Sequence, residues 1–264
     1  MRGGRDAVAV RQAVTGARRS SGPPGEGWPL GGRRAAAEAV RSGRARRLLV
    51  SRDARRTQGL RSVLAEAERS RVPVEWLGGD AIDRLSIPDH QGVAVYVSPP
   101  PELSERDLAA LDLGPDAVVV VLDGITDPQN FGACARSAEA AGAAALVVRR
   151  RRAAPVTPAA IRASAGALLH LPVARVTNIA RTIGQLQVRG FTAVGLDAEG
   201  KPVQDAPPRS GPCVLVVGSE GTGLSRLVRE RCDFLIAIPM RGQTASLNAS
   251  AALAVGLFAY GLRS

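Results

Sequence analysis

The sequence predicts an α/β protein built on a mostly parallel sheet, and three observations support this class. Strand and helix signals alternate from residue 115 to the C-terminus, which is the pattern of a parallel sheet with helices on both faces. Ala117–Leu122 is a continuous apolar run, typical of a strand buried on both faces. Val214–Val217 and Phe234–Ile238 each end in a glycine-bearing loop, as strands do beside the ligand site of such sheets.

Length and composition divide the chain into regions. Its 264 residues, 45% of them apolar, suffice for one large or two smaller globular domains. Residues 1–27, rich in Arg, Gly and Pro, predict a disordered basic tail. Residues 28–98 predict a small α/β domain, and the proline-rich residues 99–114 a linker. Residues 115–264 then form a second α/β domain.

Hydrophobic periodicity places the elements of the first domain. Predicted helices cover residues 32–41 and 57–69, and predicted strands cover Leu48–Val50, Val72–Leu77 and the alternating run from Val93.

The same reading places the elements of the second domain. Besides the three strands named above, it predicts helices at 130–141, 179–188 and 224–231 and strands at 144–148, 171–173 and 191–196. An almost wholly apolar helix follows Asn248.

The charge of the chain predicts an anionic partner. The formal net charge is +11, and nearly all basic residues are arginines, since Lys201 is the only lysine. Arginine binds phosphate bidentately and stacks on bases, so we expect a nucleic acid partner. Replacement of lysine by arginine during evolution would explain the missing lysines but not the surplus charge. The Arg149–Arg152 run is either a solvated loop or an RNA phosphate contact, and the same two alternatives stay open for the basic tail.

Other classes of protein are disfavoured. Cys134, Cys213 and Cys232 lack metal-ligand spacing, and two histidines cannot build a zinc site, so we expect no metal. His90 is expected to be structural or to contact RNA rather than to catalyse. The longest apolar run, 249–262, is too short to span a membrane, and an odd cysteine count favours a reducing, cytoplasmic location.

The two glycine-bearing loops predict a pocket for one small polar molecule. Gly218-Ser-Glu-Gly-Thr-Gly223 follows one strand, and Pro239-Met240-Arg241-Gly242 follows another. Glycine lets backbone N–H and C=O groups approach a ligand closely. The spacing matches neither a dinucleotide fingerprint nor a Walker loop, which disfavours nicotinamide and nucleoside triphosphate ligands.

Three ordered motifs carry a family resemblance. GSEGTGL, IPMRG and SLNAS, together with DGITDPQNFGACAR upstream, resemble the motifs of the SpoU (TrmH-type) RNA ribose methyltransferases. The resemblance covers about residues 30–264. It implies the SPOUT fold, in which a C-terminal loop is threaded into a trefoil knot. GRRAAAEAV and His90-Gln91-Gly92 resemble the ribosomal-protein-like substrate-binding domain that precedes the catalytic domain in one branch of the family.

The resemblance also implies the cofactor and the residues that hold it. The cofactor would be S-adenosylmethionine, bound at Gly218, Ile238 and Leu247. Gly223 and Met240, from the same loops, complete the predicted cofactor-binding set. Ile238 and Leu247 would supply apolar walls while also serving as ordinary core residues.

Five residues are the catalytic candidates by resemblance. Arg136 would be the central one. Because a guanidinium hardly ever deprotonates in proteins, we assign Arg136 first to stabilising the emerging alkoxide and second to general base catalysis. Asn130 either orients the ribose or only caps its helix. Glu220 would orient Arg136 or Asn130, and Ser246 and Asn248 would both cap the last helix and position the substrate.

The resemblance implies methylation of a ribose 2′-hydroxyl, on a guanosine of 23S ribosomal RNA. A resistance methyltransferase acting on ribosomal RNA, a transfer RNA methyltransferase and a non-catalytic RNA-binding protein stay open as alternatives. The last helix is apolar all round, so its second face needs a partner. With the family resemblance, this predicts a homodimer in which Arg136 of one chain reaches the cofactor bound by the other.

Overall fold

The protein forms two compact units. The computed structural model describes residues 27–78, 80–244 and 246–262, and the predicted tail lies outside them except for Gly27. The N-terminal unit comprises residues 27–100 together with 156–170. The C-terminal unit comprises residues 101–155 together with the chain from 171 onward. Residues 156–170, expected in the second domain, thus group with the first.

The N-terminal unit contains a four-stranded sheet of order β1-β4-β2-β3, in which only the β2–β3 pair is parallel. Its elements are β1 (Trp28–Gly31), α1 (Arg33–Arg41), β2 (Ala45–Ser51), α2 (Gln58–Arg69), β3 (Val74–Leu77), a 3₁₀ turn (Asp83–Leu85) and β4 (Val93–Val97). Helix α2 begins at a sequence-encoded cap, because the Thr57 hydroxyl accepts a hydrogen bond from the Leu60 N–H at 3.3 Å. Strand β1 was not predicted.

Residues 156–170 join this unit through polar contacts with its first helix. Their elements are α5 (Pro158–Ala163) and a 3₁₀ turn (Ala167–Leu169). His170 Nε2 lies 3.1 Å from Glu38 Oε2, and Arg44 Nε donates to the Leu169 carbonyl at 2.9 Å. These contacts join residues more than a hundred positions apart, so local sequence patterns could not reveal them.

His90 has a structural role in the N-terminal unit. Its Nδ1 accepts a hydrogen bond from the Gly92 N–H at 3.1 Å, and its Nε2 lies 3.1 Å from Asp83 Oδ1. The imidazole therefore braces the turn that leads into β4.

The C-terminal unit contains a seven-stranded sheet of order β11-β9-β10-β6-β7-β8-β5, in which all the strand pairs are parallel. Its strands are β5 (Glu102–Leu103), β6 (Val118–Asp123), β7 (Ala145–Arg149), β8 (Val173–Val176), β9 (Thr192–Pro202), β10 (Cys213–Gly218) and β11 (Phe234–Ala237). Its helices are α3 (Glu105–Ala110), α4 (Pro128–Ala140), α6 (Ile179–Val188), α7 (Arg226–Arg231) and α8 (Ala249–Gly256), with a 3₁₀ turn at Val203–Asp205 and a π turn at Leu257–Gly261 after α8.

The sheet separates two layers of helices. Alternate residues of β6, Val119 and Val121, belong to an apolar core that also contains side chains of α3, α6 and α7. On the other side, α4 packs against α8, and α8 also contacts β9 and β10. The predicted α/β class with a mostly parallel sheet is confirmed. The trefoil knot stays a prediction.

Several element boundaries in the C-terminal unit differ from the prediction, and the following differences are the ones that matter for the sheet. The predicted linker, residues 99–114, instead supplies β5 to the sheet and forms α3. The strand expected at 171–173 lies at Val173–Val176, and the one expected at 191–196 extends to Pro202. Within the described ranges, no helix has the length and apolar character needed to cross a membrane.

Candidate active site

Two central strands present their carboxyl ends side by side. In the parallel pairing of β6 with β10, Asp123 lies opposite Gly218, the last residues of the two strands. The segment that leads to Asn130 follows β6, and the glycine loop, residues 219–223, follows β10. Parallel pairing therefore brings the DGITDPQNFGACAR motif and the GSEGTGL motif together at the carboxyl ends of the central strands.

The glycine loop is closed by its own backbone. The Ser219 N–H donates to the Gly223 carbonyl at 3.2 Å, and the Gly223 N–H donates back to Ser219 at 2.9 Å. The Ser219 and Thr222 hydroxyls lie 2.6 Å apart. Gly221 and Gly223 have φ of +81° and +63°, a region that favours glycine. The backbone pair and the two glycines therefore close the loop on itself.

The packing of the glycine loop itself requires a glycine at position 218. A Cβ at this position would lie 2.1 Å from the Gly223 carbonyl carbon and 2.4 Å from the Leu224 nitrogen. Both are backbone atoms, which cannot swing aside as a flexible side chain can. The close packing of the loop is therefore one reason for a glycine here, and the approach of a ligand to its backbone stays a prediction.

Asn130, Glu220 and Asn248 form one polar cluster, although they lie far apart in the sequence. Asn130 Nδ2 donates to Glu220 Oε1 at 3.0 Å, and Asn248 Nδ2 donates to Asn130 Oδ1 at 2.9 Å. Asn248 Nδ2 also contacts Glu220 Oε1. Three of the five catalytic candidates therefore meet, and Glu220 orients Asn130 as one alternative expected.

Helix caps explain how two of these side chains are positioned. Asp127, not Asn130, caps α4, since its carboxylate accepts from the Asn130 N–H at 2.7 Å. The Asn130 side chain is left for the cluster. Asn248 caps α8 by accepting from the Ser250 N–H at 2.9 Å while its amide nitrogen serves the cluster. Ser246 is not the cap of α8 and instead lines the adjacent cavity.

A buried carboxylate that the sequence reading missed lies beneath the loop. Asp123 is 4% exposed, and its Oδ2 accepts from the Ser225 N–H at 2.8 Å. Arg149 Nη2 lies 3.9 Å from Asp123 Oδ1. Arg149 is thus half-buried, with a side chain that is 43% exposed, whereas Arg150, Arg151 and Arg152 are exposed. The sequence signal that could have identified Asp123 is its position at the end of a continuous apolar strand, where a buried carboxylate needs hydrogen-bond partners.

A cavity of about 400 Å³ adjoins the polar cluster. Its walls are the glycine loop, the loop after β11, the start of α8 and the outer part of β9. All five predicted cofactor-binding residues line it: Gly218, Gly223, Ile238, Met240 and Leu247. Glu220 and Ser246 line it too, and so do Asp197 and Arg229, which sequence reasoning did not single out.

Arg136 lies apart from this arrangement within one chain. It is exposed on α4, six residues after Asn130, and six residues turn a helix by about 600°, so the two side chains leave different faces. Among the described residues, Arg136 belongs neither to the cavity lining nor to the polar cluster. The structure brings it to the same helix as Asn130 but not to the same site.

The cysteines offer no reactive thiolate. Burial, and then the charge of Glu220, raise the pKa of the Cys134 thiol to about 12. Burial also raises the pKa of Cys232 to about 12. Over the described part of the chain, no group of three or more His, Cys, Asp or Glu side chains could hold a metal ion.

Family models and known proteins agree with this geometry. Residues 117–258 match the SpoU rRNA methylase family, and residues 30–103 match the substrate-binding domain of RNA 2′-O-ribose methyltransferases. The chain belongs to the SpoU family, and it is an S-adenosylmethionine-dependent RNA 2′-O-ribose methyltransferase.

Individual relatives extend over most of the chain. It is 42% identical over 202 residues to the 23S rRNA (guanosine-2′-O-)-methyltransferase RlmB of Pseudomonas putida, covering 75% of this chain and 81% of that protein. The RlmB of Photobacterium profundum is 39% identical over 77% of this chain and 84% of its own length. The crystal structure of the SpoU methyltransferase AviRb from Streptomyces viridochromogenes with AdoMet superposes with a TM-score of 0.71 at 30% identity, covering 97% of this chain and 96% of that one.

Proposed function

We propose that this protein methylates the ribose 2′-hydroxyl of a guanosine in 23S ribosomal RNA, within the cytoplasm. The observation that carries the proposal is the junction of the 400 Å³ cavity with the Asn130–Glu220–Asn248 cluster. The cavity offers bare backbone on the glycine loop and apolar walls, which suits an adenosine-bearing cofactor of this size. The RlmB relatives favour the guanosine target, and the N-terminal unit favours ribosomal RNA.

The cavity residues fit S-adenosylmethionine by chemistry as well as by size. Ile238 and Leu247 supply apolar surface for an adenine ring, while the glycine loop supplies N–H and C=O groups for its edge. When bound there, the cofactor supplies an electrophilic methyl group that needs no metal or acid to activate it. The chain has then to hold the 2′-hydroxyl in line with that methyl group.

The polar cluster and Arg136 divide the remaining tasks. Glu220 fixes the Asn130 and Asn248 amides, so the cluster is preorganised to orient the ribose. The 2′-hydroxyl proton would pass to water, and negative charge would develop on the oxygen as that proton leaves. The oxygen would then take the methyl group as the carbon–sulfur bond of the sulfonium breaks. A cationic Arg136 stabilises that charge without giving up its own proton.

A second copy of the chain brings Arg136 to the cavity. One face of α8 and of the turns that flank it is apolar and exposed, and its residues are Leu247, Ala251, Val255, Phe258 and Leu262. Leu253 and Leu257, on the opposite face, are fully buried. An exposed apolar face of this kind marks an interaction surface, and a twofold dimer would bury the same face of both copies against each other. In that dimer, Arg136 of one protomer serves the cavity of its partner.

Mapping of ribose 2′-O-methylation in total RNA, with and without the gene, tests the target. We expect one guanosine of 23S ribosomal RNA to lose its methyl group when the gene is deleted and to regain it in vitro with purified protein and S-adenosylmethionine. Loss of the methyl group from a different nucleotide of ribosomal RNA would support 2′-O-methylation but refute the proposed target. Loss from a transfer RNA would show that the protein is a transfer RNA methyltransferase instead. Loss of no methyl group would favour a non-catalytic RNA-binding role.

A further inference from the structure

The side of the cavity formed by β9 is acidic. Asp197 and Glu199 line the cavity, as does Glu220 of the glycine loop, and the basic residue of the described lining is Arg229. The carboxylates therefore outnumber the guanidinium, although the whole chain has a net charge of +11. A negative cavity in a basic RNA-binding protein calls for a ligand whose charge it complements.

Arg229 neutralises the two β9 carboxylates unequally. Its guanidinium makes an ion pair with Glu199 through Nη2, whereas the same atom lies 3.6 Å from Asp197 Oδ1. The Glu199 side chain is 76% exposed, so water screens its charge as well. The hydrogen bond from Arg229 to Glu199, and then the charge of Asp197, raise the pKa of Arg229, so the cation is retained.

Asp197 keeps a carboxylate that is less well compensated and less hydrated. Its side chain is 14% exposed, and Oδ1 also accepts a hydrogen bond from the Glu199 N–H at 3.0 Å, which fixes the carboxylate in the wall. Because it is held in place and screened little by solvent, its field acts on whatever occupies the cavity.

The cofactor and the product of the reaction differ in charge. S-adenosylmethionine carries a sulfonium, an ammonium and a carboxylate, whereas S-adenosylhomocysteine retains only the ammonium and the carboxylate. Every other group of the two molecules is the same. A fixed negative charge in the wall therefore stabilises the cofactor relative to the product, and contacts with the shared groups cancel in the comparison.

We propose that Asp197 is a specificity residue that favours binding of the charged cofactor over its neutral product, with Arg229 setting the strength of that preference. This inference rests on the proposed function, since it needs S-adenosylmethionine in this cavity. It gives the acidic wall a role in clearing product after each turnover, which contacts with the adenine cannot perform.

Calorimetric titration with both ligands tests the proposal. The measured quantity is the ratio of the dissociation constant for S-adenosylhomocysteine to that for S-adenosylmethionine. Asp197→Asn should lower this ratio by about three- to tenfold, the size of effect expected when one unit charge is removed from a partly hydrated cavity wall. Arg229→Gln should raise it, because Asp197 then loses its nearby cation.

The opposite signs separate a charge effect from a structural one. Glu230→Gln is the matched control, because Glu230 lies next to Arg229 on α7 and pairs with Arg226 outside the cavity lining. It should leave the ratio unchanged. If Asp197 instead bound a ribose hydroxyl, Asp197→Asn would weaken both ligands equally and the ratio would not move.

Each failure has its own signature. An unchanged ratio in both Asp197→Asn and Arg229→Gln, with both ligands still binding, overturns this inference and leaves the proposed function intact. Absence of binding of either ligand to the wild-type protein overturns the proposed function. Should Asp197→Asn fold poorly, a ratio that does not rise in Arg229→Gln refutes the inference independently.

Discussion

The cavity and the surface around Arg136 differ in how much of each a single chain supplies. The glycine loop closes on itself through the Ser219–Gly223 pair, and the Asn130–Glu220–Asn248 cluster is complete within the protomer. By contrast, Arg136 is exposed and does not line the cavity of its own chain. The apolar face of α8 is also exposed in the single chain. If the proposed dimer forms, cofactor binding would be a property of the monomer, whereas methyl transfer would need two chains.

Mixing two inactive variants tests whether Arg136 acts on the cavity of the partner chain, and we expect the largest effect on activity here. Arg136→Ala removes the charge stabiliser, and Met240→Arg fills the cavity with a long charged side chain. If Arg136 acts across the interface, subunit exchange at one to one gives heterodimers in about half the population, each with one intact site of two, so activity should return to about a quarter of wild type.

The complementation assay is radiolabelled methyl transfer to RNA after subunit exchange. Each variant alone serves as the control and should stay at background. Recovery of no activity, with heterodimers verified by differential tagging, would mean that Arg136 acts within its own chain.

A charge in the π turn that continues α8 should show whether the proposed dimer uses this exposed apolar face. Phe258 is 58% exposed, and burying a carboxylate in an apolar interface is strongly unfavourable, so Phe258→Glu should convert a dimer to monomers. Sedimentation velocity would measure the mass. Val188→Glu is the control, because Val188 is 90% exposed on α6 and its substitution should leave the mass unchanged.

S-adenosylmethionine should still bind to the monomeric variant, whereas methyl transfer should be lost. A Phe258→Glu variant of unchanged mass would place the interface elsewhere.

A substitution in the glycine loop should change the stability of the single chain without involving a partner. Gly218→Ala places a Cβ against the Gly223 backbone and should cost about 1–3 kcal/mol of unfolding free energy. Gly242→Ala is the control, since no heavy atom of the described residues, its chain neighbours aside, lies within 4 Å of the place its Cβ would take, and its φ is outside the left-handed region. Urea denaturation of both variants gives the comparison. Equal stability would show that the loop yields easily at this point.

Sequence patterns predicted best what is determined locally. The helix at Ile179–Val188 was placed at its observed bounds, and the strands at 118–123 and 213–218 were placed within one residue, because apolar runs and helical periodicity are properties of short segments. The five cavity residues followed from motif resemblance, and the structure gathers all five around one cavity.

Long-range contacts were beyond the reach of these patterns. Nothing near residues 156–170 reveals that His170 will meet Glu38. Pro99-Pro100-Pro101 suggested a linker and concealed the short strand Glu102–Leu103, which exists only because β8 is there to pair with it. Asp123 and Asp197 looked like ordinary polar residues after apolar runs, and only the folded sheet shows what each one faces.

The smallest predicted effect concerns the cap that positions the cluster within the chain. Asp127 accepts from the Asn130 N–H at 2.7 Å and so fixes the first turn of α4, from which the Asn130 side chain reaches Glu220. Asp127→Ala should cost about 1 kcal/mol and lower the melting temperature by about 2–4 °C, whereas Asp127→Asn, which keeps an accepting oxygen, should lose much less. Calorimetric melting measures both. If the cap matters only for stability, activity at low temperature should be equal in the two variants. A lower kcat in Asp127→Ala alone would show that the first turn also holds Asn130 in its catalytic position, and this part of the site would then depend on a local contact that one chain provides.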